Sequence, residues 1–268
     1  MSKILFPIIK WAAVFYMLLA NAALSGQYAA IAFNAQTGEV LYQRNPDTRL
    51  HPAGLTKLMS LYAAFEAIET GLISSEDIVR ISSKAQSEPP VKLGLREGQR
   101  VSTIVLLRAV GVYGANDAST ALAEAIDGSE AAFALRMDSY SKELGLTSST
   151  WKNAHGLTER GHLSTARDIA NLFMAHKRDF PNYFNLFSRI TTDLGVRKVT
   201  SSSRRLLQGI EGITGAKYGY TRAAGFNGAV YVQRRDREIV AVIFGAKSTS
   251  SLVKQMGEII DHSFLSLN

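Results

Sequence analysis

Cysteine is absent from this sequence of 268 residues, which also contains only 6 prolines and 2 tryptophans. Without cysteine the chain has no disulfide bond, no thiol nucleophile and no cysteine-based metal site. The remaining composition, 46% hydrophobic and 20% charged, is that of a globular protein with a substantial core. We therefore expect a single large domain, or one domain in two lobes.

A strong excess of one charge sign is also missing, since the formal net charge is only +7. The basic residues are scattered and are not interleaved with aromatic residues, which argues against nucleic acid as a partner. Neither paired histidines nor paired carboxylates occur at a spacing that indicates a metal site, and we expect no cofactor.

The N-terminus has the pattern of an export signal. Lys3 and Lys10 flank a short apolar stretch, and a further apolar run ends at Ala20-Asn21-Ala22, an A-x-A cleavage pattern. We expect residues 1–22 to be a signal peptide, residues 23–268 to form the mature domain, and the protein to be periplasmic or otherwise extracytoplasmic. An uncleaved membrane anchor is the alternative, which Lys10 disfavours because a lysine inside an apolar span is costly to insert.

The hydrophobic pattern places strands at both ends of the chain and helices between them. Loose alternation predicts a hairpin near the N-terminus, and a second antiparallel hairpin with its turn at residues 235–237 precedes a final helix. The fold class expected is α+β and two-lobed, with an antiparallel sheet flanked by helices and an all-helical lobe beside it. The predicted strands include 28–34, 39–44 and the pair within 228–248, and the predicted helices are 55–69, 101–113, 117–126, 129–145, 165–180 and 249–264.

Three short motifs carry the chemical information. In "HPAGLTKLMS", Gly54 and Lys57 have the spacing of the Ser-x-x-Lys motif of serine acyl transferases, with glycine in place of the serine. Gly114 and Asn116 follow at the end of one predicted helix. Further along, "KYGY" places Lys217, Tyr218 and Gly219 on a predicted strand that faces a cleft.

The order and spacing of these motifs resemble those of the serine D-alanyl-D-alanine carboxypeptidases among the low-molecular-mass penicillin-binding proteins. That family carries Ser-x-x-Lys, Ser-x-Asn and Lys-Thr-Gly. The stretches "GEVLYQRNPDTRLHPAGLTKLM", "PPVKLGLREGQ", "ANDAS", "HGLTERGHLSTARDIA" and "GYTRAAGFN" also resemble it in the same order, from about residue 28 to 248. The resemblance implies the penicillin-binding, β-lactamase-like fold, with the site between its two lobes.

Some positions match the motifs of the family. Lys57 corresponds to the lysine that takes the proton of the nucleophile, and Asn116 to the asparagine that holds the substrate amide. Lys217 and Gly219 correspond to the strand that grips the substrate carboxylate. From the residues alone, Asn116 could instead cap the following helix, and Lys217 could be a solvated charge on a strand.

Other positions depart from the motifs. Gly54 replaces the nucleophile, Gly114 replaces the second serine, and Tyr218 replaces the threonine, where its ring is expected to fill the cleft or pack on its rim. Because glycine has no side-chain atom that could attack a carbonyl, the covalent step of the family is lost.

The leading hypothesis is a degenerate, catalytically inactive member that still binds a peptidoglycan stem peptide without forming a bond to it. The alternative is a residually active hydrolase of peptidoglycan that uses a displaced nucleophile or a water activated by Lys57. A third hypothesis is a scaffold that docks on another protein of the cell envelope.

Overall fold

A computed structural model describes residues 28–195 and 197–267, so the predicted signal peptide lies outside the described residues. The strands are β1 (Ala29–Asn34), β2 (Val40–Arg44), β3 (Ile78–Arg80), β4 (Arg100–Ser102), β5 (Thr191–Asp193), β6 (Lys198–Thr200), β7 (Ile213–Thr221), β8 (Gly225–Arg234) and β9 (Arg237–Ala246). The α-helices are α1 (Thr56–Glu69), α2 (Ser83–Ser87), α3 (Thr103–Arg108), α4 (Asn116–Asp127), α5 (Glu130–Glu143), α6 (Ala166–Asp179), α7 (Arg204–Gly209) and α8 (Thr249–Ser266). Shorter helical turns cover Ala53–Leu55, Ala109–Tyr113 and Phe184–Phe187.

The central sheet is antiparallel, with the strand order β2-β1-β9-β8-β7. Strand β1 pairs with β9, so the first and last strands meet although some 200 residues separate them. Side chains alternate across the sheet: Ile31 and Val242 pack into the core shared with the helical lobe, while Ala30 and Ile243 pack against α8. Strand β7 forms one edge of this sheet. This edge strand lies next to the helical lobe.

Helices α1 to α5 form the second lobe, and α1 is its centre. Nearly every residue of α1 is buried, because its sequence has apolar side chains on all faces. The helix ends before Gly71, which adopts a left-handed conformation (φ +73°) that glycine tolerates without strain. The sheet and this lobe confirm the predicted two-lobed α+β class.

One predicted helix needs correction. The segment predicted as one helix, residues 101–113, begins as strand β4 because Ser102 pairs with Ile78 in a small second sheet. It then continues as α3 and ends in the wider π-type turn Ala109–Tyr113. The Asp117 carboxylate, in the first turn of α4, accepts hydrogen bonds from the backbone of the 93–95 loop.

Within the described ranges 28–195 and 197–267, no helix has both the length and the apolar character needed to cross a bilayer.

Candidate functional site

Gly54 lies in the tight turn Ala53–Leu55, immediately before α1. The edge strand β7 runs against this turn. A Cβ atom at position 54 would lie 2.6 Å from the carbonyl oxygen of Tyr218 and 2.9 Å from the Cα of Gly219. Both neighbours are backbone atoms, so they cannot move aside as a flexible side chain would. The backbone of β7 therefore occupies the space into which a side chain at position 54 would project.

Lys57, one turn further along α1, is buried with only 3% of its surface exposed. Its Nζ donates to Asn116 Oδ1 at 2.8 Å and to the carbonyl oxygen of His155 at 2.6 Å. Burial lowers the pKa of Lys57 to about 7, against the opposing attraction of the Glu88 and Asp117 carboxylates. Near neutral pH this amine therefore exists in both protonation states.

Asn116 is the partner that α4 supplies to Lys57. Its Nδ2 donates to the carbonyl oxygen of Pro89 at 3.0 Å, and its Oδ1 is taken by the lysine. The side chain makes no capping hydrogen bond at the start of α4. Asn116 thus links Lys57 of α1 to the loop that contains Pro89, and it does not fill the capping role that the sequence left open.

Gly114 ends the π-type turn in a left-handed conformation, with φ +83°. A Cβ atom at this position would lie 3.2 Å from the hydroxyl oxygen of Ser202. Ser202 therefore brings a hydroxyl beside Gly114. Sequence reasoning did not identify it, because a run of serines before a short helix indicates a helix cap rather than a site.

The side chain of Lys217 projects from β7 into the interior, towards the turn Ala109–Tyr113. It is 0% exposed, and its Nζ donates to the carbonyl oxygens of Val110 and Gly111 at 2.6 and 2.8 Å. These carbonyls belong to the turn Ala109–Tyr113 at the end of a helix, where oxygens lack helical partners and the dipole favours a cation. Burial lowers the pKa of Lys217 well below its ordinary value, and the nearby Lys57 adds to the effect.

This placement corrects one reading of Lys217, because the side chain is not a solvated charge. Its ammonium gives two of its three N–H donors to the carbonyl oxygens of Val110 and Gly111. What it does in this structure is fix the turn that leads into Gly114 and Asn116.

Tyr218 points its ring to the opposite face of β7. The ring lies 6.4 Å from that of Phe226, and Tyr218 packs against the core between the sheet and α8. Burial raises the pKa of the Tyr218 hydroxyl. The ring therefore does not fill the space between the lobes, contrary to the expectation that it would occupy the cleft or its rim. The backbone of Tyr218 and Gly219, rather than the aromatic ring, closes the approach to Gly54.

A cavity of about 280 Å³ remains next to these residues. Lys57, Asn116, Gly54, Gly114, Tyr218 and Gly219 contribute to its wall, so the structure brings together all the sequence-predicted site residues except Lys217. The lining residues that sequence reasoning missed are Pro90, Val91, Tyr113, His155, Gly156, Leu157, Ser202, Tyr220 and Thr221.

Glu88, Glu130 and His155 form a buried cluster next to this cavity, with one potential ligand atom of each within 4.8 Å of the others. The Lys84 ammonium is 2.7 Å from Glu130, and the N–H of Leu157 donates to His155 Nδ1 at 3.1 Å. Because Nδ1 accepts, the neutral imidazole carries its proton on Nε2, which faces the two carboxylates. The cluster is thus arranged as a hydrogen-bonded network around its own cation, and not as a set of open metal ligands.

Comparisons with known proteins give consistent likenesses. The sequence model of the family described as D-alanyl-D-alanine carboxypeptidase matches residues 20–248. The D-alanyl-D-alanine carboxypeptidase DacF of Bacillus subtilis is 33% identical over 243 residues, which cover 88% of this chain and 61% of that protein. This chain thus spans about six tenths of the length of the curated relatives that it matches.

Solved structures agree. Penicillin binding protein 5 from Haemophilus influenzae is similar with a TM-score of 0.85 and 28% identity, covering 90% of this chain and 71% of that one. Penicillin-binding protein D2 from Listeria monocytogenes, solved in a cefotaxime-bound form, has a TM-score of 0.80 and 26% identity, covering 90% and 98%. The predicted penicillin-binding fold is confirmed by these likenesses.

Proposed function

This chain belongs to the D-alanyl-D-alanine carboxypeptidase family, and we propose that it is a catalytically inactive member that binds the D-alanyl-D-alanine end of a peptidoglycan stem peptide without cleaving it. The protein would act outside the cytoplasm, where such peptides are found. The proposal concerns this chain alone and not the longer proteins that it resembles.

The contact between Gly54 and β7 carries the proposal. Acyl transfer requires an oxygen atom that attacks the carbonyl carbon and later leaves it, and position 54 has no side chain. The backbone of Tyr218 and Gly219 lies where such a side chain would be. Loss of the nucleophile from a catalytic unit typically removes on the order of 10⁶ in turnover.

The retained geometry supports binding. The Lys57 ammonium donates two of its three N–H groups to Asn116 and His155. The third N–H can therefore face the cavity as a hydrogen-bond donor when the amine is charged. A cavity of about 280 Å³ is at the small end of ligand sites, which suits a short peptide end. Strand β7 is a sheet edge, along which an extended peptide can add as a further strand.

The state of Lys57 also favours the alternative function. A pKa of about 7 leaves much of the amine neutral at physiological pH, and a neutral amine can accept a proton from water. The water oxygen would attack the peptide carbonyl, Lys57 would take the proton, and the released D-alanine amine would receive it. This route lacks a covalent intermediate, and it is the second candidate.

The decisive experiment incubates the purified protein with a pentapeptide ending in D-Ala-D-Ala and measures released D-alanine, while calorimetry measures binding. We expect binding that weakens in Lys57→Met and as the pH rises through 7, with no D-alanine released. The control ligand is the same peptide amidated at its C-terminus, because amidation removes the carboxylate and keeps the rest of the peptide. Release of D-alanine that disappears in Lys57→Met would establish the hydrolase instead, and absence of binding at any pH would refute both.

The scaffold hypothesis has its own test, because it does not depend on the cavity. Capture experiments from an envelope fraction should then recover the same protein with wild type and Lys57→Met. Failure to enrich any partner would exclude it.

A further inference from the structure

A second cavity, of about 600 Å³, lies beyond the end of β7 and outside the candidate site. Its wall is built from the segment before the Gly54 turn, the β7–β8 turn and the end of β9. Tyr220 contributes to both cavities, so the new one begins where the candidate site ends. The complete wall comprises Arg49, Leu50, His51, Leu163, Tyr220, Arg222, Ala223, Ala224, Gly225, Phe226, Gly245, Ala246 and Lys247.

The charge of this wall is of one sign. Arg49, Arg222 and Lys247 all contribute to it, and no aspartate or glutamate does. Arg222 and Lys247 are exposed, and neither makes an ion pair or a side-chain hydrogen bond with any part of the chain that the structure describes. Arg49 is oriented by hydrogen bonds to Ser148 and Thr150. Cations without a partner in a concave wall attract an anionic ligand.

An aromatic surface lies in the same wall. Tyr220 is 51% exposed, and its ring packs against Phe226 at 4.4 Å between centroids with a tilt of 37°. An exposed ring braced from behind offers a rigid face whose negative quadrupole attracts the slightly positive C–H groups of a sugar ring. An Arg222 guanidinium beside it can hold a carboxylate on the same sugar in bidentate fashion.

The binding surface continues past this cavity. A third cavity, of about 580 Å³, shares Gly245, Ala246 and Lys247 with it and adds Arg44, Tyr42 and Glu258. The Glu258 carboxylate is 3.8 Å from the ammonium of Lys254. Arg44 lies over the ring of Tyr28, at 5.1 Å from its centroid. Cations and aromatic rings thus recur along a path of two successive cavities, which fits a linear polymer better than a single small molecule.

We propose that these two cavities form a groove for a linear anionic polysaccharide whose sugar rings carry carboxylates, with Arg222 and Lys247 holding the carboxylates and Tyr220 stacking on a ring. The groove is separate from the peptide-binding role proposed above, and it does not depend on whether that role is correct.

The test measures calorimetric affinity of the purified protein for oligomers of polygalacturonate, which carry one carboxylate per ring. Fully methyl-esterified oligomers serve as the matched ligand, since they keep the rings and lose the charge. We expect the acid oligomers to bind and the esters to bind at least about tenfold more weakly, a difference of about 1.4 kcal/mol.

Two sets of variants locate the binding. The double variant Arg222→Glu, Lys247→Glu should weaken binding at least about tenfold, whereas Arg100→Glu, Lys142→Glu changes the net charge equally on the helical lobe and should stay within about twofold. Tyr220→Ala should weaken binding about fivefold and Tyr220→Phe should restore it, because only the ring face is needed.

Other outcomes would overturn the proposal. If both double variants weakened binding equally, the affinity would depend on the net charge of the protein and not on this groove. Vesicles of anionic phospholipid provide the last arm: if they bind with the same dependence on Arg222 and Lys247 while Tyr220→Ala has no effect on either ligand, the groove recognises a membrane surface and not a sugar chain. Absence of binding to the acid oligomers would also refute it.

Discussion

Gly54 and Gly219 pack backbone against backbone. A Cβ atom at position 54 would lie 2.9 Å from the Cα of Gly219, and a Cβ atom at position 219 would overlap the backbone nitrogen of Gly54. Each glycine thus permits the close approach of the other, and together they let β7 lie against the turn that precedes α1. The glycine at position 54 is therefore coupled to the position of a whole strand.

Gly54→Ala should destabilise the protein by about 1–3 kcal/mol, because the added methyl group would meet backbone atoms that can yield only if β7 moves. Urea unfolding followed by circular dichroism measures the change. Gly257→Ala is the matched control, since Gly257 lies in α8 with no atom within 4 Å of an added Cβ. That control should instead be stabilised by about 0.5–1 kcal/mol, as is usual for glycine in a helix. Equal effects of the two substitutions would contradict the close packing.

Gly54→Ser should not restore covalent reaction with a fluorescent penicillin. The new hydroxyl would share the space of the Tyr218 carbonyl oxygen, and position 114 would still lack its own serine. Gel fluorescence after incubation measures labelling, with an active carboxypeptidase of the family as positive control and Gly54→Ala as the variant that adds the methyl group alone. Stable labelling of Gly54→Ser, absent from Gly54→Ala, would show that β7 can withdraw and that only the nucleophile is missing.

The sequence predicted which residues lie together at the site, but it did not predict the contacts that each of them makes there. Lys57 and Asn116 are 59 residues apart, and their motifs correctly indicated that they meet. Strand alternation also separates Lys217 and Gly219 from Tyr218. Alternation alone does not say on which side of β7 the Lys217 side chain lies. That side is set by the carbonyl oxygens of the turn 109–113, whose π-type geometry leaves them available as acceptors for the ammonium.

The close packing of β7 against Gly54 could not be predicted from the sequence, for a similar reason. In the sequence, a glycine in a motif indicates only that a side chain is absent. The structure shows that backbone atoms of a distant strand fill the space that the side chain would take. The helices, by contrast, follow from local patterns: α6 was predicted at 165–180 and spans Ala166–Asp179, with the Thr165 side chain as its cap.

Tyr218→Thr, which restores the residue of the family motif, should leave affinity for the D-Ala-D-Ala peptide within about twofold. The Tyr218 ring lies on the far side of β7, near Phe226 and Thr249, so its removal opens no space in the cavity. The loss of half-buried aromatic surface should lower the free energy of unfolding by about 1–2 kcal/mol. Calorimetry and urea unfolding measure the two effects. A large gain in affinity in Tyr218→Thr would mean that the ring obstructs the site.

Lys57→Met should change how stability depends on pH. The pKa of Lys57 falls from 10.5 to about 7 on folding because the amine is buried. Between these two values the unfolded chain holds a proton that the folded chain has lost, so the free energy of unfolding of the wild type should rise with pH over this interval, by at most about 1.4 kcal/mol per unit. Below about pH 7 both states are protonated, and this contribution becomes constant.

The difference between wild type and variant reports Lys57 together with its effect on Lys217, whose pKa is lowered by burial and also by the nearby Lys57. Methionine keeps the length of the side chain and removes its charge, so the wild type should gain stability relative to Lys57→Met as the pH rises from 7 to 10. Urea unfolding at pH 6, 7, 8.5 and 10 measures the gap. Lys142→Met, which removes an exposed lysine on α5, should follow the wild type at every pH. Parallel curves for wild type and Lys57→Met would mean that the Lys57 ammonium keeps its proton on folding, and that neither pH-dependent binding nor activation of water by this residue can be expected near neutral pH.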